Sequence, residues 1–229
     1  MTLSPIAPQE REWIARRIDD TARRWGSGDA RVNATLWWYA ASSTTAGPPV
    51  HAFVAQRPIP RPVPTIGRLG ENGYLGGLEH DGTWTRTEFP KAFIEMVSPM
   101  IEALAEAGSA SPRALWAILT DSIANQALST PNVTVATASS AATDIVDAMR
   151  AHAPLPRARF QDVSTDGTLH DADPLAPPPQ GTRRATRRAS CCLIHKTTST
   201  PGEPAGMCAS CPRLGRARGR RMADALHRL

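Results

Sequence analysis

Apolar and polar positions follow a helical period over much of the first 150 residues. Over residues 9–25, Ile14, Ile18, Ala22 and Trp25 fall on one stripe with arginines and acids opposite, which predicts an amphipathic helix. Residues 29–45, carrying Trp37, Trp38 and Tyr39, predict a second, with Gly47-Pro48-Pro49 to stop it. Over 57–64, Pro58, Pro60, Pro62 and Pro64 alternate with other residues, a pattern of extended chain. Between Ile66 and Glu79, short apolar segments flank Glu71-Asn72-Gly73. Asn-Gly there predicts a hairpin turn, because both residues tolerate positive φ.

Helical patterning resumes near Thr87. Phe89, Phe93, Met96, Val97, Met100, Ile101 and Leu104 form a stripe, with Pro99 behind Ser98 as a kink or a restart. Ser111-Pro112 reads as a cap followed by proline at the first helical position, and Leu115, Leu119, Ile123 and Ala127 recur every four residues behind it. A weaker helix covers 138–150. The period then breaks. Residues 154–190 contain Pro174, Pro177-Pro178-Pro179 and many polar residues, and most of this reads as a linker. A last basic helix is expected from about Arg216 to Leu229, with Met222, Leu226 and Leu229 on one side.

These elements predict a mainly α-helical α+β fold. Residues 1–153 form a helical domain with a small β-hairpin, 154–182 a proline-rich linker, and 183–229 a C-terminal module that packs back on the first domain. At 229 residues the chain can bury a sizeable core. The stretch Met1–Glu10 lacks a basic-then-apolar leader, and no apolar run approaches the roughly 20 residues of a membrane span. The expected location is the cytoplasm.

Charge divides the chain unevenly. Residues 1–180 hold 15 Lys and Arg against 19 Asp and Glu, whereas residues 181–229 hold 11 against 2. A tail this basic usually meets something negative: nucleic acid, an acidic protein, an anionic ligand or an anionic cofactor.

All four cysteines lie in that tail, as Cys191-Cys192, fifteen residues, then Cys208-Ala209-Ser210-Cys211-Pro212. In a cytosolic protein such cysteines are ligands more often than disulfides. The C-x-x-C half is common to zinc sites, iron–sulfur sites and redox dithiols. The vicinal pair discriminates. Adjacent Cα atoms lie about 3.8 Å apart, and extended backbone would point the two thiols to opposite faces. Tetrahedral zinc sites space the ligands of each pair by two to four residues. A two-iron cluster offers positions on separate atoms, so an adjacent pair on turned backbone fits it more easily, and iron–sulfur is favoured without zinc being excluded. His195 stands three residues past Cys192, where a Rieske-type ligand is conceivable, but four cysteines already complete two irons. His51, His80, His152 and His170 have no metal-like spacing. Trp37, Trp38 and Trp116 are read as core rather than as a ligand cleft.

The run Arg187-Arg188-Ala189-Ser190-Cys191-Cys192-Leu193-Ile194, with Cys208-Ala209-Ser210-Cys211-Pro212, resembles the C-terminal motif of FhuF-like ferric-siderophore reductases. The resemblance implies a [2Fe–2S] cluster held by Cys191, Cys192, Cys208 and Cys211, with no further catalytic residues. It implies one-electron reduction of a ferric siderophore, chiefly of hydroxamate type, releasing iron in the cytoplasm, with the electron supplied by an unidentified donor. The motif covers about residues 187–212, and its 193–207 loop is longer than the family's usual one by roughly five residues, which a surface loop absorbs at small entropic cost. Upstream, the order helix–hairpin–helix is compatible with the family. Arg183, Arg184, Arg187, Arg188, Arg213, Arg216, Arg218, Arg220 and Arg221 are expected to supply positive charge that favours the reduced cluster. No acid–base or nucleophile motif stands out, as fits simple electron transfer.

Two other readings use the same residues. One is a DNA-binding regulator with a four-cysteine zinc or iron–sulfur site, drawn from the basic tail. No helix–turn–helix accompanies it, and stable nucleic-acid binding is not expected. The other is an electron carrier serving a different enzyme. The ligand set itself is testable. Serine in place of any one of the four cysteines should remove or badly destabilise the cluster, whereas His195→Ala should leave the electron paramagnetic resonance signal unchanged. A His195→Ala signal altered as much as that of a cysteine variant would replace this ligand set with a mixed one.

Overall fold

The computed structural model describes residues 3–200, 203–204 and 206–227, with the backbone alone at 199–200 and 203–204. Among these residues the chain forms six α-helices and three small antiparallel sheets, an α+β fold. Helix α1 (Arg11–Trp25) buries Trp13, Ile14 and Ile18 on its apolar stripe and ends at Gly26, whose φ of 63° closes the helix. Helix α2 (Ala30–Val54) starts under the Asp29 side chain, which accepts hydrogen bonds from the amides of Arg31 and Val32.

The expected stop at Gly47-Pro48-Pro49 is not obeyed: α2 runs through both prolines to Val54. Proline φ suits a helix, so the cost is two missing amide donors. Here that cost is offset by packing, because Ala46, Pro49 and Val50 are buried and α2 is enclosed by α1, the later helices and the hairpin. Trp37 and Trp38 are fully buried on it, their indole N–H groups donating to the carbonyls of Gly73 (3.1 Å) and Leu115 (2.9 Å). With Trp116 also buried, all three indoles are core.

Helices α3 (Phe89–Gly108), α4 (Pro112–Leu128) and α5 (Val135–Met149) complete the helical layer. α3 continues through Pro99, and α4 begins with Ser111 at its N-cap and Pro112 behind it, although the Ser111 hydroxyl makes no capping bond. Strands β1 (Ser4–Pro5), β2 (Ile59–Leu69) and β3 (Leu75–Trp84) form a sheet in that order. The hairpin is therefore longer than 66–79, and it absorbs the alternating prolines. Pro60 and Pro62 pair with β3, while β1 reaches only Ile66 and Gly67, so the prolines lie where β2 has a single partner. In the turn Gly73 takes the positive φ, 76°, and Asn72 does not share it.

The segment read as a linker is ordered. β4 (Phe160–Ser164), β5 (Leu169–Asp171) and β6 (Thr182–Thr186) make a second antiparallel sheet, order β5-β4-β6. Leu155, Phe160 and Val163 are buried. At its centre Arg184 holds Asp162 with two bonds, 2.9 Å and 3.0 Å, and also donates to Ser139 Oγ on α5 and to the Ala176 carbonyl. The helical pattern fails here because much of what this sheet buries is ionic, which no apolar stripe announces. β7 (Thr198–Thr200) and β8 (Glu203–Pro204) form a short ribbon, and α6 (Ala217–His227) lays Met222 and Ala223 against Val163 of β4. Leu229, expected on the same face, lies outside the described residues. No helix among the described residues is long and apolar enough to cross a membrane.

Gly73 combines positive φ with a position where an added Cβ would strike the Asp20 side chain, and its carbonyl anchors Trp37. Gly73→Ala should destabilise the protein by about 1–3 kcal/mol in urea denaturation. Gly28→Ala, with nothing near the added methyl, should stay within about 0.5 kcal/mol of the parent.

Candidate metal centre

Strand β6 delivers the first cysteines. Its sheet ends where the Arg187 amide donates to the Arg159 carbonyl (2.8 Å), and Arg188 is then buried. The next two residues are fastened to the helical layer. Asp121, the single acid within α4, accepts from the Ala189 amide (2.8 Å), the Ser190 amide (3.1 Å) and the Ser190 hydroxyl (2.6 Å). The carboxylate is 1% exposed, so these donors and Arg188 stand in for water. Burial pushes the Asp121 carboxyl above the ordinary range, against the pull of Ser190, Ala189 and Arg188.

Directly after the vicinal pair, Leu193 adopts left-handed backbone (φ 62°, ψ 10°) and opens a 3-10 turn over Ile194–Lys196. A non-glycine residue there costs about 1–2 kcal/mol. The turn brings the amides of Leu193 and Ile194 onto the sulfurs of Cys191 and Cys192. The second half comes from the tail: Cys211 N–H donates to the Cys208 carbonyl (3.0 Å), closing a turn that leads through Pro212–Leu214 into α6.

The four thiols are free and meet as two pairs. The Cys192 side chain interacts with that of Cys208, and the Cys191 side chain with that of Cys211. Cys192 and Cys211 are buried; Cys191 and Cys208 are partly exposed. Cys192 rests on Val32 and Leu36 of α2, and Thr198 reaches the carbonyls of Trp25 and Gly26, so the tail packs against α1 and α2. Among the described residues no group of three or more His, Cys, Asp or Glu side chains is gathered so as to hold a metal ion as it stands. His195 Nδ1 lies 3.9 Å from Cys191 Sγ.

Arg188 is the electrostatic centre of this arrangement. Its Nη1 donates to Cys208 Sγ (3.3 Å), its guanidinium lies 4.8 Å over the Tyr39 ring, and its Nε is 3.7 Å from Asp121. Nε and Nη2 are buried without a hydrogen-bond partner. Burial works against its charge, but Tyr39, Cys192, Asp121 and Cys208 hold its proton above the ordinary arginine value. Cys192 and Cys208 lose protons as a pair. The first leaves readily, since the Cys208 thiol, the Ile194 amide and Arg188 all favour a thiolate at Cys192 despite burial. The second is held back on Cys208 by its bond to Cys192 and by burial. Burial likewise raises the Cys191 thiol.

Four of the other arginines are deployed elsewhere. Arg184 pairs with Asp162, Arg187 with Asp171 (2.5 Å), Arg218 with Gln161 and Arg221 with the Met207 carbonyl. Of the nine expected around the cysteines, Arg188 alone among the described residues bonds to a sulfur. Sequence patterning missed Asp121 and Tyr39. A lone acid in an otherwise apolar helix was the available signal for Asp121, whereas nothing local marks Tyr39. Beside Cys191 opens a cleft of about 490 Å³, bounded by the first turns of α2 and α4 and by the cysteine loop.

Removing the Asp121 carboxylate should leave Arg188 uncompensated and the Ala189 and Ser190 donors unpaired. Asp121→Ala is expected to cost about 3–5 kcal/mol in urea denaturation and to speed hydrogen exchange at the amides of Ala189 and Ser190. Unaltered exchange at those two amides would show that the loop is held by something else.

No family model, no curated protein and no solved structure matches this chain.

Proposed function

We propose that Cys191, Cys192, Cys208 and Cys211 hold a [2Fe–2S] cluster and that the protein is a ferric-siderophore reductase of the FhuF-like kind. The observation that supports this reading is that the fold brings all four cysteines of the vicinal pair and the C-x-x-C turn into mutual electrostatic contact beside one buried cation, Arg188, which bonds Cys208 Sγ. Four thiolates would complete the ligand set of two irons, and binding energy would draw the ligands of such a site together. The surroundings suit it chemically as well. Amides of Leu193 and Ile194 face sulfur, and the unpartnered Nε and Nη2 of Arg188 offer further donors.

When bound, such a cluster supplies a centre that accepts and returns one electron. The chain's own residues set its environment. Arg188, shielded from water, favours the more negative state through a low-dielectric interior. Asp121 holds the loop that carries Cys191 and Cys192, and Leu193 keeps the backbone turned. Cys191, partly exposed, forms part of the cleft wall, where an external partner could approach it. A separate one-electron donor is oxidised and the ferric ion of the substrate is reduced to ferrous iron; no bond to the protein forms or breaks. Hard oxygen ligands such as hydroxamates hold Fe(III) better than Fe(II), so reduction loosens the complex.

Protein purified without oxygen should be reddish-brown, with about two irons and two acid-labile sulfides per chain, and should bleach with dithionite. A colourless protein with one zinc per chain would sink the reading. Arg188→Gln should lower the reduction potential by about 60 mV, the equivalent of a tenfold shift for one electron, while Arg187→Gln, whose guanidinium is committed to Asp171, should leave it nearly unchanged.

A further inference from the structure

The cleft beside Cys191 carries an unusual concentration of one charge. Arg31 from α2, Arg113 from α4, Lys196 from the 3-10 turn and Arg213 after the last cysteine all line it, and no carboxylate does. Among the described residues Arg113, Lys196 and Arg213 have no ion pair. Arg31 stands 3.9 Å from Asp29, a carboxylate already used to cap α2. The side chains come from four separate parts of the chain, so their convergence is a property of the tertiary fold. Four cations around one concavity repel one another, and an anion seated among them relieves that repulsion. The amino-terminal turns of α2 and α4, which also border the cleft, add partial charge of the same sign. At about 490 Å³ the cleft has the size of a small-molecule site.

We propose that this cleft is the substrate receptor and that it selects a ferric chelate of net negative charge. The inference rests on reading the cysteines as a redox centre, and it narrows the substrate class by charge rather than by hydroxamate chemistry. Cys191 forms part of the wall, so a chelate held by the four cations lies against the one cysteine of the vicinal pair that is not buried. Chelates built on catecholates or on citrate-like carboxylates carry the required charge. A hydroxamate chelate bearing a free ammonium group does not. The larger cavity of about 570 Å³ between α4, β6 and α6 is a poorer receptor: its two arginines, Arg184 and Arg188, are already bound to Asp162 and to Cys208, and its lining is mostly apolar.

Gallium(III) chelates test this without any electron transfer, because gallium is not reduced under these conditions. Full-length protein is titrated calorimetrically with a gallium tris-catecholate of net negative charge and with a gallium tris-hydroxamate bearing a free ammonium. The anionic chelate should bind, with affinity falling as salt is raised, and the cationic one should not. Arg113→Glu with Lys196→Glu should weaken the anionic chelate by about tenfold or more, Arg213→Glu alone by less, and Lys196→Arg should retain it. All these side chains are exposed, so the variants should unfold at the parent's temperature. Equal binding of the two chelates, or unchanged affinity in the charge-reversed variants, overturns the receptor. A protein that binds the anionic gallium chelate in this manner but carries zinc instead of iron keeps the receptor and loses the redox reading. One that carries the cluster and reduces ferric chelates, with charge reversal lacking effect on binding, does the opposite.

Discussion

A single buried carboxylate ties the two halves of this protein together. Asp121 sits in the middle of α4, deep in the helical layer, yet each of its hydrogen bonds runs to the cysteine loop, to Ala189 and Ser190. A carboxylate this far from water would be costly without donors, and the loop supplies them. The dependence is mutual. The backbone before Cys191 has no regular ladder of its own, and Asp121 satisfies amides that would otherwise be left unpaired. Arg188 extends the link to Tyr39 and to the Cys208 sulfur, so the helical layer, the first cysteine pair and the second cysteine pair share one electrostatic knot.

The sheet that follows α5 gives this knot its position. β6 feeds Arg188 into the site, and β4 supports α6, which carries the chain away from Cys211. The sheet is braced against α5 by Arg184, through Asp162 on one side and Ser139 on the other. A bidentate pair fixes geometry, and here it ties the middle of β6 to β4. The basic character of the tail thus divides into distinct jobs. Arg184 and Arg187 hold the sheet and its edge, Arg188 serves the cysteines, and Arg213 joins Arg31, Arg113 and Lys196 around the cleft.

Much of the helical layer was legible from periodicity because its burial is apolar and repeats with the turn of a helix. The stripes of Ile14 and Ile18, of Phe89, Phe93 and Val97, and of Leu115, Leu119 and Ile123 are all buried where they were expected. Signals failed where a local rule met a non-local one. Pro48 and Pro49 should end α2, but enclosure by neighbouring elements outweighs two absent amides. The proline-rich stretch after α5 looked like a linker because its strands are three to five residues long and part of what it buries is an ion pair.

The cysteine spacing by itself singled out the four side chains of the candidate centre, since a vicinal pair and a C-x-x-C turn are properties of the local chain. It also favoured turned backbone at the pair, and the left-handed residue of this segment is Leu193, directly after it. Tertiary structure decided the rest. Which thiol faces which, which of nine arginines touches sulfur, and which acid from 68 residues away closes the loop all depend on contacts between segments far apart in sequence. Charge shows the difference most clearly. Composition reports a basic tail, but electrostatic energy depends on distance and burial, and those are set only when α2, α4 and the cysteine loop are packed together.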